Sequence, residues 1–216
     1  MMRQAAEGGN AEAQYNYGIC YQQGIEVVQS DSIANIWFLK SASQGWKDSQ
    51  FKIAYSYANG RGIKQDYTQA FRWSLKCAEQ NDPECMFNVI NCYMNGFGMP
   101  KNIDSVINWA RRLALLNNLE DLQQSAQITS ARANLATMYR DGTEVPKDLI
   151  KSYMWFLIYN ERKRDFSVVV QQQNIEAIQS LDKQMTSAEK TKAKDDAEKL
   201  LNHKLSNMHN LYKQEL

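Results

Sequence analysis

The two histidines of this chain are candidate metal ligands, but their spacing argues against a metal site. His203 and His209 are six residues apart near the end of the chain, so a helix there would direct them to different faces. Helices that bind zinc favour two ligands four residues apart. We therefore predict no metal site. The sequence also lacks the H-E-x-x-H, G-x-S-x-G and Walker-type motifs of common hydrolases and nucleotide-binding proteins.

Two S-x-x-K sequences at predicted helix starts are the remaining candidates for catalysis. Ser49 and Lys52 form one, and Ser187 and Lys190 form the other; in serine β-lactamases this element contains the acylated serine. The companion S-D-N and K-T-G elements are absent, and each serine stands at a predicted helix start, where N-capping explains it. We predict that the chain has no catalytic residue, needs no cofactor and is not an enzyme.

Composition and charge indicate an all-α protein without a general affinity for polyanions. A chain of 216 residues with 44% hydrophobic residues can bury a substantial core, and only 10 Gly and 3 Pro favour helices over a β-sandwich. The net charge of +1 creates no overall field toward nucleic acid or an anionic membrane. No apolar run approaches the roughly 20 residues of a membrane-spanning helix. We expect neither nucleic-acid binding nor membrane insertion.

A repeat of 36 residues organises most of the chain. Three residue types keep this spacing: Tyr21, Tyr57 and Tyr93; Gly24, Gly60 and Gly96; and Trp37, Trp73 and Trp109. A fourth copy follows after 46 residues at Tyr139, Gly142 and Trp155. Such spacing predicts four helix-turn-helix units, with the tryptophans in the core between helices. We expect the ten extra residues, near 118–127, to lengthen the preceding helix or to form a loop.

The turns between the paired helices contain a recurring pattern in residues 59–66, 95–102 and 141–148. Their glycines supply positive φ, and the closing residues Asp66, Asn102 and Asp148 are suited to N-cap the next helix. With residues 151–156, these stretches resemble the Sel1 signature, roughly Y-x-x-G-x-G-V-x-x-D followed by K-A-x-x-W. Over about residues 5–160, the resemblance implies a right-handed α/α superhelical solenoid of tetratricopeptide-like repeats. Glu26 replaces the second glycine in the first unit, so we expect a distorted loop there.

Residues 161–216 leave the repeat, and we predict C-terminal capping helices after a repeat solenoid over residues 1–160. One apolar stripe consists of Ile175, Ile178, Leu181 and Met185, and a second of Ala197, Leu200, Leu201, Leu205 and Met208. Thr186 and Glu189 form a capping-box pattern between them. A terminal helix with one polar face closes a solenoid. Residues 5–9 look like the tail of a repeat, so we expect a truncated N-terminus.

Cys77 and Cys85 lie at the end of one predicted helix and the start of the next. A short turn between antiparallel helices can bring two such side chains within disulfide range. This C-x7-C spacing resembles that of the Helicobacter cysteine-rich branch of the Sel1 family, and the resemblance implies a Cys77–Cys85 disulfide. The alternative is two small buried thiols. Cys20 and Cys92 share a repeat position two units apart, too far to pair.

The resemblance also implies a partner-binding face. In a right-handed stack of helix pairs, the first helix of each unit lines a concave groove. The tetratricopeptide phase places these residues there: Tyr15, Ile19, Gln22, Phe51, Tyr55, Asn59, Phe87, Asn91, Asn95, Ala133, Thr137 and Arg140. An aromatic column with an amide rim suits a binding hot spot. The alternative is that the aromatic side chains pack onto the neighbouring unit.

We expect a non-enzymatic scaffold that binds another protein in this groove. A specific form of this hypothesis, implied by the resemblance, is a bacterial immunity protein that neutralises a secreted toxin effector. The alternative is a β-lactam-binding or β-lactam-hydrolysing cell-envelope protein of the cysteine-rich branch. The sequence leaves open the partner and the oligomeric state. The compartment is also open: the candidates are the bacterial cytoplasm and, if an upstream signal was removed, the periplasm.

Overall fold

The computed structural model describes residues 2–117, 120–162 and 168–211. These residues form helices joined by turns, and no strand occurs among them, which confirms the all-α class. They group into two compact units, Met1–Val106 and Ile107–Leu216. The first unit contains α1 (Met2–Glu7), α2 (Ala11–Gln23), α3 (Asp31–Ser43), α4 (Lys47–Asn59), α5 (Tyr67–Glu79), α6 (Pro83–Asn95) and the start of α7 (Ile103–Leu115).

The second unit contains the rest of α7 and the helices that follow it. These are α8 (Leu122–Asp141), α9 (Leu149–Arg162), α10 (Val168–Gln184), α11 (Ser187–Leu201) and a short 3₁₀ helix (Asn207–Leu211). The helices α2 to α9 occur in the order that the repeat predicts. Within the described ranges, none of them combines the length and hydropathy that crossing a lipid bilayer demands.

The repeat helices begin and end at the predicted capping residues. At the start of α5, Asp66 accepts a hydrogen bond from the backbone N–H of Gln69 over 2.9 Å, which satisfies one of the unpaired donors of the first turn. Gly60 closes α4 in the left-handed conformation, with φ 67°. Asn102 and Asp148 cap α7 and α9 in the same way as Asp66. The three predicted N-caps are confirmed.

The turn of the first repeat keeps the conformation of the second and third although it lacks their second glycine. Glu26 has a φ of 56°, close to the 67° of Gly62 at the same repeat position. The expected distortion is wrong, because an exposed side chain tolerates this conformation at a cost of about 1–2 kcal/mol. Gly62 itself is needed for space. A Cβ there would lie 2.5 Å from the carbonyl carbon of Asp31.

A buried core cluster of the first compact unit lies on α3 and α4. Ala34, Phe38, Ala42 and Ile53 make a fully buried cluster. Gly18 lets α2 approach this cluster closely, because a Cβ at that position would lie 2.6 Å from Cε1 of the Phe38 ring. Gly18 is therefore a close-packing residue.

The repeated tryptophans differ in burial. Trp155 is buried as predicted, with 1% of its surface exposed, whereas Trp37, Trp73 and Trp109 are only half-buried. Each half-buried ring has beside it a cation from three residues further along the same helix. These are Lys40 Nζ at 4.3 Å from the Trp37 centroid, Lys76 Nζ at 4.3 Å from Trp73 and Arg112 Cζ at 4.9 Å from Trp109. For these three the core assignment holds only in part. The Trp37 ring packs against Tyr17 of the paired helix, with ring centroids 5.1 Å apart, and Trp73 packs against the buried cluster, but part of each ring remains at the surface and attracts a cation.

Buried glutamines connect each of the first two repeats to the helix that precedes it. Gln50 Nε2 donates to the backbone oxygen of Ala42 over 3.3 Å, and Gln50 Oε1 accepts from Gln80 over 2.8 Å. At the same repeat position, Gln14 donates to the backbone oxygen of Ala6 over 3.1 Å. The backbone oxygens of Ala42 and Ala6 also accept hydrogen bonds from the turn N–H groups of Gly45 and Gly9, so each glutamine adds a second bond to a carbonyl in the last turn of the preceding helix.

The structure contains the Cys77–Cys85 disulfide that the resemblance implies. It joins the end of α5 to the start of α6, with the two Cα atoms 5.7 Å apart. Both cysteines are fully buried. Cys20 and Cys92 are free and half-buried, as expected from their distance along the repeat.

In the second unit an arginine takes the repeat position of Gln50. Arg132 is fully buried and donates to the backbone oxygens of Ala114 and Leu116 over 2.8 Å and of Arg162 over 3.0 Å. These oxygens lie at the ends of α7 and α9, where the helix dipole favours a positive charge. Burial, followed by the nearby charge of Arg162, lowers the pKa of Arg132 to about 10. The side chain therefore remains cationic at neutral pH.

The ten extra residues mainly lengthen the following helix. Helix α8 has 20 residues, compared with 13 in α4 and α6, while α7 ends at Leu115. The two expected outcomes, a longer preceding helix or a loop, are therefore wrong for residues 122–127. Asp121 accepts a hydrogen bond from the N–H of Gln124 over 2.8 Å, so this N-cap starts α8 early. Residues 118–119 lie outside the described ranges.

The last helices that the structure describes pack against α9. Thr186 and Glu189 form the predicted capping box at the start of α11. Helix α11 ends at Leu201 because Asn202 takes the left-handed conformation, with φ 55°. Leu205 and Met208, which we predicted in this helix, therefore lie beyond it. The division predicted near residue 160 falls inside the second compact unit.

Candidate protein-binding face

The serines of the two S-x-x-K sequences differ in accessibility. Ser49 is fully buried, and its Oγ donates a hydrogen bond to Ser41 Oγ over 2.7 Å. Ser187 is exposed as the first residue of α11, whose N-cap is Thr186. The capping explanation is therefore wrong for both serines. Burial and the bond to Ser41 explain why the Ser49 hydroxyl is out of reach of a substrate in solvent.

One group of side chains has metal-ligand chemistry. Cys77, Asp82 and Cys85 are buried, with their ligand atoms within 4.8 Å of one another. Both sulfurs belong to the disulfide, and Asp82 already pairs with Lys47 Nζ over 3.1 Å. Disulfide sulfurs are not thiolate ligands, and the ammonium of Lys47 repels a cation. The oxidised group does not provide a metal site.

Of the two histidine side chains, the structure describes only that of His203. His203 is exposed, and its Nδ1 lies 2.8 Å from the backbone oxygen of Lys204. The side chain of His209 lies outside the described residues. The structure therefore does not test the two histidines together.

The predicted partner-binding residues of the first unit lie on α2, α4 and α6. We call them the first-helix face: Tyr15, Ile19 and Gln22 on α2; Phe51, Tyr55 and Asn59 on α4; and Phe87, Asn91 and Asn95 on α6. Within each helix these residues are three or four apart, so they share one side of the helix. The face presents aromatic groups in the middle of each helix and amides near its end.

The aromatic residues of the face become more exposed from α2 to α4 and α6. Tyr15 is half-buried and packs with Ile19 against the core cluster of the first unit, and its ring centroid lies 5.9 Å from that of Phe38. By contrast, Tyr55 is 47% exposed and Phe87 is 41% exposed. Tyr15 and Ile19 therefore pack inward, but the ring that Tyr15 contacts, Phe38, belongs to its own repeat and not to the neighbouring unit. The exposed rings are on the next two repeats.

Amides close the face at the ends of the helices. Asn59 and Asn95 are exposed, and each donates through Nδ2 to the backbone oxygen four residues earlier, over 2.9 and 3.0 Å. Gln22 is half-buried, and it is Gln23 that is exposed at the repeat position of Asn59. Counting 36 residues back from Asn59 would have identified Gln23. The amide row therefore continues onto α2 through a neighbour of the predicted residue.

A row of carboxylates beside the aromatic residues was missed in the sequence analysis. Glu12, Asp48 and Glu84 are 36 residues apart and lie in the first turns of α2, α4 and α6. Burial, followed by the negative charge of Asp48, raises the pKa of the Tyr15 phenol. A carboxylate on α4 is thus close enough to influence an aromatic residue on α2. The shared 36-residue spacing was the signal that could have revealed this row.

The predicted residues of the second unit lie on α8. Thr137 is half-buried, and the Arg140 guanidinium donates to both carboxylate oxygens of Asp141, over 2.7 and 2.9 Å. The hydrogen bond and charge of Asp141 raise the pKa of Arg140. Arg140 is thus already engaged by its neighbour, and a partner would have to compete for its charge.

The repeats match a known family model. The Sel1 repeat model matches residues 11–46, 47–82, 83–118 and 129–158, which together exceed half of the chain. A search of curated proteins finds no match.

Three solved structures are similar to this chain. A Sel1 repeat protein from Oxalobacter formigenes is 29% identical with a TM-score of 0.60, and the match covers 73% of this chain and 60% of that protein. A protective antigen with an SLR fold from uropathogenic Escherichia coli is 22% identical with a TM-score of 0.43, over 100% of this chain and 51% of that one. A Sel1 repeat protein from Klebsiella pneumoniae is 16% identical with a TM-score of 0.39, over 84% and 97% of the two chains. This chain thus spans less than two thirds of the Oxalobacter protein.

Proposed function

Because the chain belongs to the Sel1 repeat family, we propose that it is a non-enzymatic scaffold whose first-helix face binds another protein. Sel1 repeats indicate a scaffold for protein–protein interaction. The observation that supports this face is the exposure of Tyr55 and Phe87, 47% and 41%, on the same side of two successive first helices. Aromatic side chains bury a large area at a low cost in conformational entropy, so they suit binding hot spots.

Site-specific photo-crosslinking tests this face. A photoreactive phenylalanine analogue is placed at Tyr55 or Phe87 and, as a control, at Ile36, which is 52% exposed on the second helix α3. In cells of the native host, we expect positions 55 and 87 to crosslink the same protein and position 36 not to crosslink it. The same partner crosslinked equally from position 36, or none from 55 and 87, would contradict the proposal.

A truncation variant adds a quantitative test. Tyr55→Ala together with Phe87→Ala removes two exposed rings, so the free energy of unfolding should change by less than about 1 kcal/mol. Binding of the crosslinked partner should weaken by about 100-fold or more, since hot-spot truncations cost roughly 2 kcal/mol or more each. Ile36→Ala is the matched control for loss of an exposed apolar side chain, and it should leave the affinity unchanged.

The finer form of the proposal is a bacterial immunity protein that neutralises a secreted toxin effector. An inhibitor needs a rigid surface that is already formed before it meets its target. The first-helix face meets this condition, because α2, α4 and α6 each begin at a defined residue and end at a left-handed glycine. The face therefore loses little conformational freedom on binding.

Co-expression tests the immunity function. Toxin genes that neighbour this gene in its native host are expressed with and without the chain, and growth is measured. The wild-type chain should restore growth, whereas the variant with Tyr55→Ala and Phe87→Ala should not. Failure of the wild-type chain to protect, or equal protection by the face variant, argues against the immunity function.

A separate test addresses the β-lactam alternative. Ser49 is buried, and no observation in the described residues favours acylation of Ser187. After incubation with a fluorescent β-lactam, denaturing electrophoresis should show no labelled band. A covalent label that disappears with Ser187→Ala would overturn the non-enzymatic part of the proposal.

A further inference from the structure

Negative charge accompanies the aromatic residues of the first-helix face. Each carboxylate precedes an aromatic residue by three positions: Glu12 and Tyr15 on α2, Asp48 and Phe51 on α4, and Glu84 and Phe87 on α6. Residues three apart on a helix are surface neighbours. Carboxylates and rings therefore alternate with the same 36-residue period.

In the described part of the chain, few positive charges offset the carboxylates on α2 and α4. Lys52 is half-buried next to Phe51, and asparagine holds its repeat position on the other two helices, as Asn16 and Asn88. Lys47, at the start of α4, pairs with Asp82 over 3.1 Å. Glu12 and Asp48 are both exposed. The beginning of the face thus carries more negative than positive charge.

Helix stability alone explains an acidic first turn but not the neighbouring rings. An acidic residue near a helix N-terminus interacts favourably with the helix dipole, and Asp31 and Asp104 stand at such positions on α3 and α7. Asp31 pairs with Arg61 over 2.9 Å. The carboxylates on α4 and α6, however, lie one turn from the half-buried Phe51 and the exposed Phe87. Carboxylates and aromatic rings both attract a cation.

We propose that the first-helix face binds a segment of a partner protein in which lysine or arginine residues stand beside apolar residues. This inference rests on the proposed function and specifies the partner's chemistry. The cations would lie along Glu12 and Asp48, and the apolar side chains would contact the exposed rings of Tyr55 and Phe87. In an extended chain, cations at every third residue stand about 10 Å apart on one strand of the ligand.

Three labelled peptides test separately the two features of the proposed ligand, its positive charges and its apolar residues. The first repeats Lys-Leu-Ser, the second repeats Glu-Leu-Ser and the third repeats Lys-Ser-Ser, all at one length with a fluorescein label for anisotropy measurements. The Lys-Leu-Ser peptide should bind the wild-type chain about tenfold more tightly than either of the others. Its affinity should fall as salt is raised, because salt screens exposed charges.

A matched pair of variants tests the carboxylates. Asp48→Asn and Asp104→Asn each remove an exposed carboxylate from the first turn of a helix, so they perturb helix stability similarly. Only Asp48→Asn should weaken binding of the Lys-Leu-Ser peptide, by about threefold, and Asp48→Asn with Glu12→Gln by about fivefold to tenfold. Lys52→Gln should leave the affinity unchanged or raise it.

Several results would overturn the inference. They are equal binding of the Glu-Leu-Ser and Lys-Leu-Ser peptides, unchanged affinity in the variant with Glu12→Gln and Asp48→Asn, and no binding of any peptide. If no peptide binds but positions 55 and 87 still crosslink a host protein, only the inference about a cationic partner fails. If the crosslinks are also absent, the proposed function fails.

Discussion

Ser49 donates a hydrogen bond to Ser41 over 2.7 Å at the repeat position where, 36 residues later, Cys85 is bonded to Cys77. All four residues are fully buried. Both pairs join the end of a second helix to the start of the next first helix. A disulfide and a hydroxyl pair thus replace each other between helices that each have 13 residues. The serine pair of the preceding repeat is therefore a natural comparison for the contribution of the disulfide to the free energy of unfolding.

Replacing the disulfide by the serine pair of the preceding repeat should preserve the fold. Cys77→Ser with Cys85→Ser removes a cross-link that closes a loop of sequence separation 8, worth about 2.5 kcal/mol in the chain-entropy account. A buried hydroxyl pair returns about 1 kcal/mol, so we expect a net loss of about 1.5 kcal/mol. Urea unfolding followed by circular dichroism measures this difference. Cys77→Ala with Cys85→Ala should lose about 1 kcal/mol more, and equal stability of the two double variants would contradict this account.

The converse substitution should create a second disulfide. Ser41→Cys with Ser49→Cys places two cysteines at the repeat positions of Cys77 and Cys85, and we expect them to oxidise. Under denaturing, non-reducing conditions the wild-type chain should show two reactive thiols, Cys20 and Cys92. The double variant should also show two, whereas Ser41→Cys alone should show three. Four reactive thiols in the wild-type chain would mean that the Cys77–Cys85 bond does not form in solution.

The sequence predicted the helices and their caps because backbone geometry restricts the residues at those positions. A turn that needs positive φ selects glycine, as at Gly60, and an unpaired first-turn N–H selects a short acceptor, as at Asp66. Spacing between such residues therefore predicts where helices begin and end. This reasoning failed at Glu26, because a non-glycine residue can occupy the left-handed region at a modest cost.

Features that depend on three-dimensional surroundings were not predictable from the repeat alone. Trp37 is half-buried because one side of its ring is not covered by the core, and the Lys40 side chain lies over that ring. The extra residues before the fourth repeat joined α8 because Asp121 provides an early N-cap. The first-helix face was predicted from the repeat phase, but the exposure that distinguishes Tyr55 from Tyr15 depends on packing.

Arg132 should be among the most sensitive positions of the second unit. Arg132→Met introduces the residue that holds the same repeat position at Met86. It removes the donors to the backbone oxygens of Ala114, Leu116 and Arg162. Leaving buried polar groups unsatisfied costs about 1–3 kcal/mol each, so we expect a loss of about 3 kcal/mol or more in the free energy of unfolding.

Arg132→Gln is the matched control, because glutamine fills this repeat position as Gln14 and Gln50. It retains a donor for a backbone oxygen and removes the buried charge, so it should be about 1 kcal/mol more stable than Arg132→Met. Denaturant unfolding and amide hydrogen exchange in α7 and α9 check both variants. Equal losses would mean that side-chain volume, and not hydrogen bonding, determines stability at this position.

Two features of the fold favour glycine at position 62, the positive φ and the close approach of Asp31, and comparison with Gly45 separates them. Both have positive φ, 67° and 93°, but a Cβ at Gly62 would lie 2.5 Å from the backbone of Asp31, whereas nothing lies within 4 Å of a Cβ at Gly45. Gly45→Ala should therefore lose only the conformational term, about 1–2 kcal/mol. Gly62→Ala adds overpacking against the start of α3, for a total of about 3 kcal/mol or more.

Thermal unfolding of the two alanine variants measures this difference. Glu26→Gly provides a third comparison, because it relieves the left-handed conformation at the same repeat position and should gain up to about 1 kcal/mol. If Gly45→Ala and Gly62→Ala lose equal stability, the close approach of the turn to Asp31 contributes nothing. In that case positive φ alone would account for the glycine at position 62, and the tolerance of glutamate at position 26 would need a different explanation.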